Sequence, residues 1–297
     1  MILVPARLSG QYRITLHKQG RVRLRTPWFD NIVTNGGLNQ IGNGSFLTHC
    51  YLGTGTTEPS ENDGQLDSEL GSTTTIVGQS AGAGSSAPYY GTREIQYRFA
   101  ANTVVGNLSE VGVGWASALF SRSLIVDGNG DPTTVTVLED ETVDVTYLLK
   151  NYSPEEDYEF QADIEGTRDC VMRACNASSS STTSGWGMTG SAIALASGTG
   201  IYPIVAYNGA LGTVVQSPSG TSDTNASTAN ATYVNNSLEK GFSATWLMAN
   251  GNLSGGITAF RLATNGIGTY QISVDPPIAK TASNTLNVNF KVAWGRP

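Results

Sequence analysis

Between Gln11 and Leu24 apolar and polar residues take turns. Tyr12, Ile14 and Leu16 stand among polar neighbours, Gln19-Gly20 offers a turn, and Val22 and Leu24 then stand between Arg21, Arg23 and Arg25. A period of two around a two-residue turn predicts a β-hairpin with the three arginines on one face. The same period returns at residues 93–99, where Ile95, Tyr97 and Phe99 share a face. It returns again at 142–149, where Val143, Val145, Tyr147 and Leu149 are expected inside and Thr142, Asp144 and Thr146 outside. Phe242, Ala244, Trp246 and Met248 alternate in the same way. Residues 46–52, 106–115, 119–126, 135–138, 272–274 and 286–294 read as further strands. No segment keeps a 3.6-residue period for three turns, so one short helix, over residues 37–41, is the only helical expectation.

Between these strands lie stretches of small polar residues. Residues 54–91 read as one long loop, with 78–86 nearly all Gly, Ala or Ser. Residues 176–190 and 217–230 are expected to be mobile or covered by a neighbour. Asn35-Gly36 and Asp127-Gly128-Asn129-Gly130-Asp131 read as turns.

The chain also echoes itself. Gly106-Asn107-Leu108-Ser109 returns as Gly251-Asn252-Leu253-Ser254, and Gly53-Thr54-Gly55 as Gly198-Thr199-Gly200, both 145 positions on. Tyr12 and Gly20 return as Tyr158 and Gly166. Val143, Val145, Tyr147 and Leu149 return as Leu286, Val288, Phe290 and Val292. Ordered markers at near-constant spacing point to a tandem duplication. The expected fold is all-β: two tandem antiparallel β-sandwich domains, 1–151 and 152–297, related by internal duplication, with an acidic linker at 151–157.

Composition narrows the function. Among 297 residues, 14% are charged, below the roughly 25% of an ordinary domain. Such a surface suits turns and contacts with neighbouring subunits. The net charge of −7 sets nucleic acid aside as a partner. Arg21, Arg23 and Arg25 read first as a solvated face, then as a docking face for an acidic neighbour, and last as a DNA contact. Cys50, Cys170 and Cys175 are too few for a disulfide framework, and with His17 and His49 they fit no common zinc spacing. Buried free thiols are expected, with no metal and no cofactor. The start of the chain does not read as a signal peptide, and no run approaches a membrane span. The eight Asn-X-Ser/Thr matches therefore count as composition rather than glycosylation sites.

No catalytic set emerges. His17 is expected in solvent. His49 and Cys50 are adjacent on a strand, so their side chains diverge. Glu139, Asp140, Glu141 and Asp144 are weighed as a glycosidase pair and read as turn and strand carboxylates. Asp127 to Asp131 matches only the opening of a calcium loop, because Pro132 and Leu138 occupy positions that need Gly and Glu.

Three segments resemble structural proteins of tailed bacteriophages. The first is Trp28-Phe29-Asp30-Asn31-Ile32-Val33-Thr34-Asn35-Gly36-Gly37-Leu38-Asn39, after a basic hairpin. The second is Leu52-Gly53-Thr54-Gly55-Thr56-Thr57-Glu58-Pro59 with Leu66-Asp67-Ser68-Glu69-Leu70. The third is Gly106-Asn107-Leu108-Ser109-Glu110-Val111-Gly112-Val113-Gly114 with Leu119-Phe120-Ser121-Arg122. In the second half Glu110 aligns with Gly255, and Phe120-Ser121-Arg122 finds no counterpart. The resemblance implies a non-enzymatic virion subunit made in the host cytoplasm. It would be a tail, tail-tip or fibre-attachment component, assembling with copies of itself and other virion proteins. Head decoration is a further placement. The runner-up is a receptor- or glycan-binding fibre domain that touches the host surface through Tyr89, Tyr90, Trp186 and Tyr207. A polysaccharide-cleaving enzyme is the third reading.

Overall fold

The fold described is that of residues 2–116 and 118–297 in a computed structural model. Met1, part of the N-terminal stretch considered above, and Ser117 lie outside it. The first half holds β1 (Ile2–Lys18), β2 (Arg21–Arg25), β3 (Phe29–Asp30), β4 (Ile32–Val33), α1 (Asn35–Asn43), β5 (His49–Gly53), β6 (Glu69–Thr73) and β7 (Ile76–Ala83). It continues with β8 (Tyr90–Phe99), β9 (Gly106–Leu108), β10 (Glu110–Trp115), β11 (Ala118–Leu124), β12 (Val135–Val137) and β13 (Glu141–Tyr152). The second half holds β14 (Tyr158–Asp163), β15 (Thr167–Cys175), β16 (Ile204–Tyr207), β17 (Ser222–Asp223), β18 (Ser227–Asn230), β19 (Glu239–Trp246), β20 (Ile257–Ala263), β21 (Thr269–Ile278) and β22 (Leu286–Gly295). The protein is all-β apart from α1.

A nine-stranded sheet, ordered β18-β19-β22-β1-β13-β8-β7 with β2 and β3 also on β1, forms one layer. A five-stranded sheet, β4-β11-β10-β5-β6, and a six-stranded sheet, β14-β15-β21-β20-β16-β17, face it. Rings meet across the gap. Phe120 of the five-stranded sheet lies 6.4 Å from Tyr147, and Phe260 of the six-stranded sheet 5.6 Å from Phe290. The inward register expected for β13 and β22 holds, with Tyr147 and Phe290 both buried, but Thr146, expected outside, is buried too because β13 is an inner strand covered on its other face.

The boundary between residues 151 and 152 does not divide the sheets. β1 is 17 residues long and serves both halves. Its first residues pair in parallel with β22, Ile2 with Phe290 through Arg7 with Gly295. From Arg7 onward it pairs antiparallel with β13, Arg7 with Tyr152 through Lys18 with Glu141. One hydrophobic cluster runs through both halves, from Ala6 to Trp294. Separate sandwiches therefore give way to a shared sheet and a shared core. The hairpin reading of 11–24 did not reveal the extra length of β1, because Pro5 and Gly10 interrupt its alternation.

The strand order nevertheless repeats. β7-β8-β13 has its likeness in β18-β19-β22, and β4-β11-β10-β5-β6 in β15-β21-β20-β16-β17. The local echo at Gln19-Gly20 and Glu165-Gly166 is also structural. Both turns place two residues at positive φ, 50° and 76° in the first and 50° and 105° in the second. The Gly-Thr-Gly echo is not: Gly53 ends β5, whereas Gly198 precedes β16.

Several expectations change. Residues 54–91 contain β6 and β7, which the alternation signal misses because an edge strand of Gly, Ser and Ala is held by its backbone ladder rather than by a buried face. β17 and β18 likewise lie within 217–230. Residues 176–190 form no strand, but they are packed rather than loose, with Trp186 and Met188 buried. The helix is longer than expected. Thr34 caps it, its hydroxyl accepting from the Gly37 amide at 2.8 Å. Val22 is exposed, because a bulge between Leu16 and His17 shifts the register of β2.

Candidate functional site

Two of the three segments that resemble phage proteins, the second and the third, meet at one buried ion pair. Glu110 begins β10 and Arg122 lies on the neighbouring β11, and both are buried. Arg122 Nη2 stands 2.9 Å and Nε 3.0 Å from Glu110 Oε2. The remaining oxygen of Glu110 accepts from the amides of Gly55 at 3.0 Å and Ser68 at 2.7 Å, while Oε2 also accepts from the Asp67 amide at 3.0 Å. Arg122 Nη1 donates to Asp63 Oδ2 at 2.6 Å and Nη2 to the Thr57 carbonyl at 2.9 Å. Asp67 in turn accepts from the Thr57 hydroxyl at 2.8 Å. Ser109 donates its hydroxyl to the Gly55 carbonyl at 2.7 Å.

The arrangement is a clamp on residues 54–68. A buried charge needs a partner and satisfied hydrogen bonds, and here both carboxylate oxygens and all three guanidinium nitrogens have them. Burial works against the Arg122 charge, but its hydrogen bonds to Asp63 and Glu110 outweigh burial and hold its pKa above the ordinary value. The Thr57 hydroxyl and amide hold Asp67 below the usual carboxylate range. Both oxygens of Glu110 are taken up by these bonds.

A second hub stands at the matching place in the other half. Aligning core-facing Val111 and Val113 with Phe260 and Leu262 places Arg122 on Gln271 and Glu110 on Ala259, not Gly255. Gln271 is fully buried on β21. Its side-chain nitrogen lies 2.9 Å from the Ala174 carbonyl, 3.2 Å from that of Gly212 and 2.9 Å from that of Thr213. Its oxygen accepts from the Gly212 amide at 2.8 Å. It ties down residues 208–217 after β16 as Arg122 ties down 54–68 after β5. Sequence reasoning missed Gln271, since a lone polar residue inside an apolar strand was its only signal.

The other candidates disperse. Arg23 is engaged within the chain: Nη2 donates to the Thr136 carbonyl at 2.7 Å and to Glu141 at 2.8 Å, and Nε contacts Glu141 as well. Arg21 and Arg25 remain exposed. Trp186 is no surface ring. Its indole nitrogen donates to the Cys175 carbonyl at 2.9 Å and its ring lies 5.2 Å from Tyr270. Tyr207 is buried with Val205 and Ala259. The reading of both as exposed contacts fails, because each sits in a core cluster. Tyr89 is half-buried against the core, and Tyr90 lies 5.8 Å from Tyr152 with Lys150 over its ring.

His17 and Asp144 also correct their expected exposure. Asp144 is buried under long neighbours: Arg98 donates to it at 2.6 and 2.7 Å, Gln96 at 2.7 Å, and His17 Nε2 lies 3.0 Å away. Asp140 pairs with Lys18 at 3.1 Å. Asp140, Glu141 and Asp144 thus each have a cationic partner, and no free acid–base pair faces a cleft there. Asp127 accepts from the amides of Asn129 and Asp131, as a plain turn does. Cys50, Cys170 and Cys175 are free and buried, with burial pushing Cys170 and Cys175 up to about 11. Cys50 points into the core, away from His49, which bonds Thr48 at 2.9 Å.

Among the described residues, no group of His, Cys, Asp and Glu is placed to hold a metal ion, and no helix is long and apolar enough to cross a membrane. Comparison with known proteins finds no matching family, curated protein or solved structure.

Proposed function

We propose that this chain is a non-enzymatic structural subunit of a tailed-phage particle, a component of the tail, tail tip or fibre attachment. In this reading its halves are duplicated sandwiches fused through β1. The observation that carries it is the meeting of the second and third phage-like segments at the Glu110–Arg122 clamp. Residues far apart in the sequence meet there in a joint whose buried carboxylate and guanidinium are satisfied internally. A joint of this kind fixes loop shape, which a scaffold needs, and offers nothing to a substrate. The repeated strand order supports the duplication.

Burial of Trp186 and Tyr207 removes two of the four rings on which the glycan-binding alternative rested. The arginine contact is narrowed in the same way. Arg23 belongs to the fold, so Arg21 and Arg25 are the residues that dock on an acidic neighbour. Such rim charges mainly set encounter and register, and they weaken with salt.

The experiment is mass spectrometry of gradient-purified particles. The wild-type chain is expected in them, and Arg21→Ser/Arg25→Ser is expected to be depleted, the difference narrowing when assembly occurs at higher ionic strength. Absence of the wild-type chain overturns the virion reading. Equal incorporation of the variant overturns only the docking role.

A further inference from the structure

Most free sheet edges in this molecule are guarded. β2 carries Arg21, Arg23 and Arg25, β3 carries Asp30, β6 carries Glu69, β14 carries Glu159 and Asp163, and β17 carries Asp223. β4 has two residues only. Charge and shortness are how proteins stop edges from pairing with other chains. The two outer strands of the nine-stranded sheet carry no charge at all. β7 reads Ile-Val-Gly-Gln-Ser-Ala-Gly-Ala and β18 reads Ser-Thr-Ala-Asn.

The outward backbone of both is free. The Gly84 amide donates to Tyr90, so in the alternating ladder Gly82 and Ser80 face β8 while Gln79, Ala81 and Ala83 face away from it. On β18 the Ala231 amide donates to Gly241, which leaves Thr228 and Asn230 facing outward. None of these five amides donates to any described residue. Ile76 and Val77 of β7 and nearby Leu70 add exposed apolar surface.

Strand direction makes the two edges complementary. From β1 to β7 the chain reverses at β13, at β8 and at β7, so β7 runs against β1. β22 is parallel to β1, and two reversals through β19 leave β18 running with β1. A second copy set beside the first in the same orientation therefore brings its β18 against β7 as an antiparallel pair.

We propose that copies of this chain join edge to edge, β7 of one pairing with β18 of the next, so that the nine-stranded sheet continues from subunit to subunit. The contact is heterologous, and repetition closes a ring or extends a filament. It deepens the reading of the chain as a multimeric subunit and rests on that reading for its setting, but its test does not.

The test is analytical ultracentrifugation of the purified full chain over a wide concentration range. The wild type is expected to exceed its monomer mass of 31.2 kDa increasingly with concentration. Ala81→Pro removes an outward donor from β7 and Thr228→Pro one from β18, positions at which proline spares the internal ladder. Each variant alone is expected to associate at least about tenfold more weakly. Mixed, they are expected to form dimers and stop there, because each keeps one sound edge. Circular dichroism and melting check folding. If Ala81→Pro unfolds, Ser80→Lys takes its place with the same expectation, a lysine being the usual guard of an edge. A wild type that stays monomeric, unchanged self-association of Thr228→Pro, or a mixture that recovers nothing would each overturn the proposal. Presence of a monomeric chain in purified particles would overturn edge pairing and leave the virion reading standing.

Discussion

The indole nitrogen of Trp294 donates to the carbonyl oxygen of Leu38 across 2.7 Å, fastening the last strand to the single described helix. The Trp294 ring also lies 5.6 Å from Tyr233, which in turn leaves no room beside Gly42. Residues from opposite ends of the chain thus share one packed corner. With β1 paired to both β13 and β22, neither half can lose its sheet without exposing the other. Thermal or denaturant unfolding is expected as one transition, seen alike by tryptophan fluorescence and circular dichroism. Trp294→Phe is expected to lower the stability of that transition by about 1–3 kcal/mol, leaving the Leu38 carbonyl buried without its donor. Two resolved transitions would show that the shared sheet does not couple the halves.

Tyr147 and Phe290 hold matching places on β13 and β22, and both are buried. Tyr147 lies 4.9 Å from Tyr12, and its hydroxyl accepts from Asn31 at 3.2 Å. Phe290 packs edge-on against Phe260. Truncating either to Ala is expected to cost about 3–5 kcal/mol, the range for large-to-small aromatic changes in a core. Because the core is continuous, both variants should shift the same transition. A cost under about 1 kcal/mol at either site, read from denaturant midpoints, would mean its ring is not a core element.

Residues whose side chains alternate against a core were legible in the sequence. Tyr12, Tyr97, Tyr147 and Phe290 all face inward as their spacing indicates. What stayed hidden is held by backbone or by polar contacts. β7 has almost no apolar signal, and only its pairing with β8 makes it a strand. The parallel pairing of Ile2–Arg7 with β22 joins residues nearly 290 positions apart, and no local pattern announces it. Trp186 looked like a surface ring because its neighbours are Ser, Thr and Gly. It is buried because its loop folds onto Gly91, where an added Cβ would meet the Trp186 carbonyl. Of the clamp, Glu110 and Arg122 lay in segments already singled out. Asp63 did not, since a carboxylate in a polar loop looks the same whether it is solvated or paired.

The acid side of stability depends on carboxylates with depressed pKa values. Asp67 is lowered by the Thr57 hydroxyl and amide, and Asp157 by its hydrogen bonds to Arg173. A group whose pKa is lower when folded stabilises the fold fully above its unfolded value, about 3.9 for Asp, and loses that contribution as pH falls through the folded value. Stability is therefore expected to fall away below about pH 4. Asp67→Asn, which cannot ionise, should show a shallower acid decline than wild type. Denaturant midpoints measured from pH 7 to pH 2 check this, and parallel profiles would exclude Asp67 as a contributor.

The clamp itself predicts an asymmetry between its two central residues. Glu110 accepts from Arg122 and also from three backbone amides of residues 55–68, so its loss leaves those amides without their acceptor and the arginine with only Asp63 and the Thr57 carbonyl. Loss of Arg122 leaves the carboxylate with those three amides, which still stabilise its charge. Removing one partner of a buried pair typically costs about 3–5 kcal/mol. Glu110→Ala is expected at the upper end of that range and Arg122→Met at the lower. The double variant should cost less than the sum by about 0.5–3 kcal/mol, because the second change no longer strands a charge. Glu110→Ala should also open residues 54–68 to limited proteolysis under conditions where the rest of the chain resists, since this carboxylate holds three amides of the loop, at both its ends. Denaturant unfolding of the four proteins, with cleavage sites mapped by mass spectrometry, provides the measurement. Additive costs, or a loop as resistant as in wild type, would show that Glu110 and Arg122 are neighbours rather than a clamp.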